Sequence, residues 1–175
     1  ESLPVHECIK RGQGDLSQLF ANYRQSMANL AAQGINTICY NFMPLLDWTR
    51  TDLAAPVARG GTCLRFDAIR MAAFEIHMLG REHARDDYSP KVCSKAAVWF
   101  QQATEDDREA LLSAIMAGLP GAFDRYDIKG LREALTQYDG IDRATLRANY
   151  KRFLQEVVPA AQDLGMRLCV HPDDP

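Results

Sequence analysis

The chain has 175 residues, of which 47% are hydrophobic and 25% charged, as expected for one folded domain or a large part of one. Its net charge of −3 gives no reason to expect a nucleic acid or an anionic membrane as a partner, and no apolar run approaches the roughly 20 residues of a membrane-spanning helix. The five cysteines are odd in number and lack CxxC spacing, which favours reduced thiols in a cytoplasmic protein over a disulfide framework or a zinc ribbon.

The first part of the chain contains one helix-then-strand unit. A short apolar run at about residues 1–5 is the first predicted strand. Asp15 is a good N-cap for a helix with one apolar stripe, and Gly34 supplies the left-handed residue that ends it. A β-rich run at 35–42 follows and is the second predicted strand.

The middle of the chain, about residues 64–140, is predicted to be a helical excursion. Helix starts are indicated at Ser89-Pro90, at Thr104 with Asp107, and at Asp127. One helix is enough to connect two parallel strands, so this material is an elaboration. Such insertions commonly form lids or subunit contacts, and we expect a homo-oligomer.

The last part of the chain repeats the helix-then-strand plan. An apolar stripe predicts a helix from about 142 to 164, Gly165 ends it, and residues 166–170 are the third predicted strand. No hairpin signal is recognised between the strands. Units of this kind favour parallel pairing in an α/β protein, with residues 1–175 as a single domain.

Polar residues follow each predicted strand directly. His6 follows the first strand, Asn41 ends the second, and His171 follows the third with Asp173 and Asp174. Ligands gather beyond the carboxyl ends of parallel strands, and imidazole and carboxylate groups bind metals. A proline-rich surface turn explains the last segment equally well, and a plain loop residue is the simpler interpretation of His6.

A second group of candidates lies in the loop after the 35–42 strand. Asp47, Trp48 and Arg50 bring a carboxylate, an indole and a guanidinium close together in sequence. Arginine is the natural bidentate partner of a carboxylate substrate. The alternative is that Trp48 is a hydrophobic plug and that Asp47 and Arg50 form a surface ion pair of little value.

The remaining histidines and the absent motifs exclude several functions. His77 lies on an apolar helix face with no second ligand at helical spacing, which indicates a core residue, whereas His83 lies in a polar stretch and is expected in solvent. The sequence has no HExxH, GxGxxG, GxxxxGK[ST] or GxSxG motif, so metalloprotease, dinucleotide-binding, P-loop and serine-hydrolase functions lack support.

Several segments together resemble the mannonate dehydratase family, in order and with similar spacing along essentially the whole chain. The segments are 39–44 (CYNFMP), 47–51 (DWTRT), 64–67 (LRFD), 73–75 (AFE), 117–121 (AGLPG) and 170–175 (VHPDDP). The DWTRT and HPDDP segments are specific rather than generic barrel signals. The resemblance implies a metal-dependent lyase of hexuronate catabolism, which dehydrates D-mannonate to 2-keto-3-deoxy-D-gluconate.

The resemblance also implies a fold. The family adopts a (β/α)8 TIM barrel of the xylose-isomerase-like type and is about twice as long as this chain. We therefore expect a portion of that barrel, about three parallel strands with a long helical insertion. Because the chain lacks an initial methionine and stops directly after a strand and a ligand motif, we expect it to be part of a longer protein.

For the site, the resemblance matches His171 to a metal-binding histidine and places Asp47, Trp48 and Arg50 in a signature loop without assigning each a role. The other ligands of the family, a Cys, a His and an Asp, would lie outside this chain, so the fragment alone should be inactive. Mn²⁺ or Fe²⁺ fits such a mixed site. The alternatives are a related metal-dependent sugar isomerase and a non-catalytic binding or assembly fragment.

Overall fold

The computed structural model describes residues 1–46, 48–117 and 126–170. These residues divide into two compact units. The first unit contains residues 1–46 and 138–170, and the second contains residues 48–117 and 126–137. The prediction of a single domain stays a prediction.

The first unit contains two helices and two strands that the sequence predicted, together with one short additional helix. In chain order its elements are α1 (Glu7–Arg11), α2 (Leu16–Ala32), β1 (Thr37–Cys39), α7 (Arg143–Asp163) and β4 (Arg167–Cys169). The Asp15 carboxylate accepts a hydrogen bond from the backbone N–H of Gln18, which confirms Asp15 as the N-cap of α2. Asp142 caps α7 in the same way through the N–H of Thr145.

The two strands of the first unit pair in parallel, as predicted. Their register aligns Ile38 with Leu168 and Cys39 with Cys169. The N-terminal run does not form a full strand and instead makes an isolated parallel bridge between Ser2 and Cys39. The described residues therefore form a mixed α/β fold with parallel strands.

The core of the first unit lies between this sheet and its helices. Phe153 of α7 is fully buried, and its ring lies 5.2 Å from that of Tyr23 and 5.6 Å from that of Tyr40. The buried residues of this core are Val5, Ile9, Leu16, Phe20, Tyr23, Met27, Ile38, Tyr40, Phe153, Val157, Ala161 and Met166. One continuous apolar cluster thus fixes α2 and α7 against one face of the sheet.

The second unit begins with a hairpin and continues as helices. Its elements are β2 (Asp52–Pro56), β3 (Thr62–Arg65), α3 (Ala68–Ala73), a π-helix (Phe74–Leu79), a 3₁₀-helix (Ala84–Asp87), α4 (Pro90–Gln102), α5 (Glu105–Met116) and α6 (Ile128–Thr136). Side chains of Ser89, Thr104 and Asp127 cap α4, α5 and α6, so the three predicted helix starts are confirmed.

The hairpin corrects the sequence analysis, which recognised none. β2 and β3 pair in an antiparallel arrangement across residues 57–61. Gly60 and Gly61 have φ angles of +83° and +85°. This left-handed pair is a turn signal of the kind that glycine permits, and it was overlooked because the flanking strands are short and half polar.

The helix on which the sequence placed His77 is present as α3 followed by the π-helix. Glu75 in the π-helix accepts two hydrogen bonds from Arg81, at 3.2 and 3.0 Å, and one from the Tyr88 hydroxyl at 2.6 Å. These charge-assisted bonds fasten the segment beyond Gly80 to the wide turn of the π-helix.

Both histidines of this unit lie where the sequence predicted. The ring of His77 stacks on Phe100 with centroids 5.0 Å apart, and desolvation, followed by the charge of Arg85, lowers its pKa. The side chain of His83 is 77% exposed. Among the described residues, no helix is long and apolar enough to span a membrane.

We expect Phe153→Ala to lower the free energy of unfolding by about 3–5 kcal/mol, because it leaves a cavity where three aromatic rings meet. The measurement is urea unfolding of the purified protein. Val158→Ala on the same helix is the control, since Val158 is 38% exposed. The control should stay within about 0.5 kcal/mol of the parent. Equal losses in the two variants would show that the cluster is not the core.

Candidate functional site

One face of the β1–β4 sheet is open, and it carries a row of polar and sulfur-containing side chains. Side chains alternate between the two faces of a strand. Ile38 and Tyr40 are buried against the helices, whereas Cys39 is half-buried and Cys169 is exposed. The Cys39 thiol donates a hydrogen bond to the Asn41 side-chain oxygen over 3.9 Å. The open face therefore presents two thiols and an amide at the carboxyl ends of the strands.

The two thiols interact with each other and with the backbone. The Cys169 thiol donates a hydrogen bond to the carbonyl oxygen of Ile38 at 3.4 Å. Desolvation, followed by the neighbouring Cys39 thiol, raises the pKa of the Cys169 thiol. The Cys169 group is therefore a thiol rather than a thiolate in this arrangement.

A pocket of about 240 Å³ opens where the two strands end. It is lined by Tyr40, Asn41, Phe42, Met43, Leu146, Arg147, Tyr150 and Val170. The hydroxyl groups of Tyr40 and Tyr150 are 2.6 Å apart, and burial, followed by this hydrogen bond, raises the pKa of Tyr40. The pocket combines aromatic walls with an amide and a guanidinium, a set of groups that suits a small polar anion.

A buried ion pair holds the loop that follows β1. The Lys10 ammonium lies 2.5 Å from the Glu7 carboxylate and donates to the Met43 carbonyl oxygen at 2.7 Å. The Glu7 carboxylate also accepts hydrogen bonds from the Leu45 backbone N–H at 3.3 Å and from the Tyr138 hydroxyl. Lys10 is 8% exposed, so these partners replace most of the water around its ammonium group.

This ion pair stabilises an unfavourable backbone conformation. Leu45 has a φ of +61°, a left-handed conformation that a leucine seldom adopts. The hydrogen bond from its N–H to Glu7 helps to offset the strain. We infer that α1 sets the path of the chain beyond Asn41.

Two of the segments that carry the family resemblance are joined by hydrogen bonds in the second unit. Thr51, the last residue of the DWTRT segment, is 2% exposed. Its hydroxyl donates to the Arg65 carbonyl oxygen at 3.1 Å and accepts from the Asp67 backbone N–H at 2.8 Å. Asp67 in turn caps α3. Thr51 therefore connects the end of the DWTRT segment to the LRFD segment by hydrogen bonds.

The comparisons with known proteins assign the family. The family model described as D-mannonate dehydratase (UxuA) matches residues 1–175. The chain belongs to the D-mannonate dehydratase family. It is 49% identical over 175 residues to a mannonate dehydratase of Chromohalobacter salexigens and 47% identical over 175 residues to one of Marinomonas sp.. In both alignments the whole of this chain is covered.

A solved structure agrees with this assignment. The crystal structure of mannonate dehydratase from Streptococcus suis serotype 2 superposes with a TM-score of 0.57 at 27% identity, over 99% of this chain and 36% of that one. The chain spans 45% of the length of each curated relative. The resemblance inferred from the sequence motifs is thus confirmed.

The structure describes four of the six predicted site residues. Asn41 lies at the strand ends and lines the pocket. His6 caps α1, its Nδ1 accepting from the Cys8 N–H at 3.1 Å. Trp48 and Arg50 belong to the second unit, where the Arg50 guanidinium donates to the Thr49 carbonyl oxygen at 2.9 Å. Their roles in binding stay predictions.

The other two predicted site residues, Asp47 and His171, lie outside the described residues, as do Asp173 and Asp174. Within the part of the chain that is described, no group of three or more His, Cys, Asp or Glu side chains could hold a metal ion. The described residues alone therefore do not fit a metal site.

Sequence reasoning missed Arg147, Tyr150 and the Glu7–Lys10 pair. Both Arg147 and Tyr150 lie on α7, and Arg147 lies one turn before Tyr150 on the same side of the helix. That spacing could have indicated Arg147. Glu7 and Lys10 are only three residues apart in sequence. Their contacts with residues 43–45 are far apart in sequence, so no local pattern predicts them.

We expect Glu7→Gln to lower the free energy of unfolding by about 1–3 kcal/mol, because it leaves the buried Lys10 charge without its anion. Chemical denaturation measures the loss. The control is Glu156→Gln, since Glu156 pairs with Arg24 at 2.9 Å but both side chains are about 40% exposed. That variant should lose no more than about 1 kcal/mol. A larger loss in the control than in Glu7→Gln would contradict the assignment.

Proposed function

We propose that the protein containing this chain is a hydro-lyase that converts D-mannonate into 2-keto-3-deoxy-D-gluconate and water in hexuronate catabolism. The observation that carries the proposal is the family match over residues 1–175. The names of the two curated relatives, both mannonate dehydratases, support it.

We also propose that this chain is part of a (β/α)8 TIM barrel. The parallel β1–β4 pair, the helices packed on one of its faces and the open opposite face are typical of barrel strands. The superposition on the Streptococcus suis structure supports the same architecture. In such a barrel the chemistry takes place at the carboxyl ends of the strands.

The reaction needs a cation. The proton next to a carboxylate is hardly acidic, and the β-hydroxyl must leave as water, so a bound Mn²⁺ or Fe²⁺ would stabilise the negative charge that develops on the carboxylate. We propose His171 as one metal ligand, on the family resemblance. On the same resemblance, the remaining ligands are proposed to lie beyond this chain.

The chain's own residues are proposed to bind the sugar acid. The Asn41 amide can both donate to and accept from substrate hydroxyls. Trp48, Asp47 and His6 are further candidates for contacts with the sugar. Arg50, from the signature loop, is the first candidate for the substrate carboxylate, and Arg147, which lines the pocket with Asn41, is the second. Lysine variants of each arginine would distinguish them by the rise in KM.

Two alternatives remain testable. A related sugar isomerase on the same barrel would rearrange its substrate without releasing water. A non-catalytic binding or assembly fragment would use the helical second unit instead.

We propose a cytoplasmic homo-oligomer without nucleic acid or membrane partners, and size measurement of the intact protein tests the assembly.

The deciding experiment incubates the intact protein with D-mannonate and Mn²⁺ and identifies the product by mass spectrometry. Formation of 2-keto-3-deoxy-D-gluconate, lighter than the substrate by one water, supports the proposal. A product of unchanged mass would point to an isomerase. Absence of any product with each of Mn²⁺ and Fe²⁺ would refute the lyase.

We expect His171→Ala in the intact protein to remove most bound metal and to lower dehydration by about 100-fold or more, a larger loss than the roughly 10–100-fold that second-shell changes cause. Metal analysis at neutral pH and a mannonate assay are the measurements. His77→Ala is the matched control, because His77 packs on Phe100 in the second unit. It should keep its metal. Full metal content and turnover in His171→Ala would show that the HPDDP segment is only a turn.

A further inference from the structure

Cys39 and Cys169 lie directly opposite each other on neighbouring parallel strands. They are register partners in the β1–β4 pair. Partners in register point to the same face of a sheet. This contact brings together two thiols that are far apart in sequence, and no part of the proposed reaction uses it.

The backbone geometry suits a disulfide between the two sulfur atoms. Adjacent strands are about 4.7–4.9 Å apart, within the range of about 4.4–6.8 Å between Cα atoms that disulfides accept. A disulfide would therefore require rotation of side chains rather than movement of the strands.

The two thiols of this pair differ in their exposure. Among the described residues, Cys169 is exposed and Cys39 is half-buried, so Cys169 is the more accessible of the two thiols. The other three cysteines lie elsewhere: Cys8 in α1, Cys63 in β3 and Cys93 in α4. All five are free thiols in this structure.

We propose that Cys39 and Cys169 form an oxidisable dithiol, which hydrogen peroxide converts into an intramolecular disulfide at the carboxyl end of the sheet. Peroxide transfers one oxygen to the Cys169 sulfur, giving a sulfenic acid and one water as the O–O bond breaks. The Cys39 sulfur then attacks that sulfur, the S–O bond breaks, and a second water leaves. Two thiols and one peroxide thus give one disulfide and two waters.

Oxidation would also change the site. The Cys39 thiol is the donor to the Asn41 side-chain oxygen, and the Cys169 thiol is the donor to the Ile38 carbonyl oxygen. A disulfide has no S–H group, so both hydrogen bonds are lost when it forms. The Asn41 amide is then free to turn. Any effect of this change on activity rests on the proposed function.

The test treats the intact protein with hydrogen peroxide, alkylates remaining thiols with iodoacetamide, and maps peptides by mass spectrometry without reduction. We expect a cross-linked peptide pair joining Cys39 to Cys169, lighter by two hydrogens, that dithiothreitol separates. Cys39→Ser and Cys169→Ser should each abolish it. Cys63→Ser, which removes an exposed thiol of the second unit, should leave it unchanged.

Three results would overturn the proposal. They are a cross-link to Cys8, Cys63 or Cys93 in place of this pair, separate oxidation of both thiols to sulfinic acids, and full alkylation of both after peroxide. A mannonate assay adds a separate readout, in which oxidation should lower dehydration by about tenfold or more and dithiothreitol should restore it. If the reduced protein is inactive but the cross-link forms, the proposed function fails and the dithiol stands.

Discussion

The parallel register of β1 and β4 is the constraint on which the first unit depends. The N–H of Arg167 donates to the carbonyl oxygen of Asn36, and the N–H of Tyr40 donates to that of Cys169, at 2.8 and 3.0 Å. Because side chains alternate along a strand, a slip of one residue would turn Ile38 outward and Cys39 into the core. One set of backbone hydrogen bonds thus decides both what is buried and what faces the site.

The same register connects packing to the open face. Ile38 is fully buried beneath α2 and α7, and this burial fixes the strand from the inside. The side of the strand that faces away from the helices needs no apolar residues, so it can carry thiols and an amide at little cost to the core. Beyond the strand, the Glu7–Lys10 pair holds the backbone through the hydrogen bond from the Lys10 ammonium to the Met43 carbonyl oxygen.

Local signals were sufficient for most elements of the fold. Caps such as Asp15 and Thr104 act within three residues, so the sequence displays them directly. The parallel pairing and the position of Asn41 followed from the order of helices and strands. The hairpin was not predicted because the strands that flank its turn are short, although Gly60 and Gly61 are a turn signal.

The parts of the site that could not be predicted depend on long-range contacts. Nothing near Lys10 in sequence indicates that its ammonium meets the Met43 carbonyl oxygen, and nothing near Arg147 indicates that Asn41 shares its pocket. Leu45 has a further consequence for protein engineering. The left-handed backbone conformation costs a leucine roughly 1–2 kcal/mol, whereas a glycine adopts it without this cost. A glycine at this position would hold the same conformation with less help from α1. With leucine, the loop keeps its shape only when the first helix is intact.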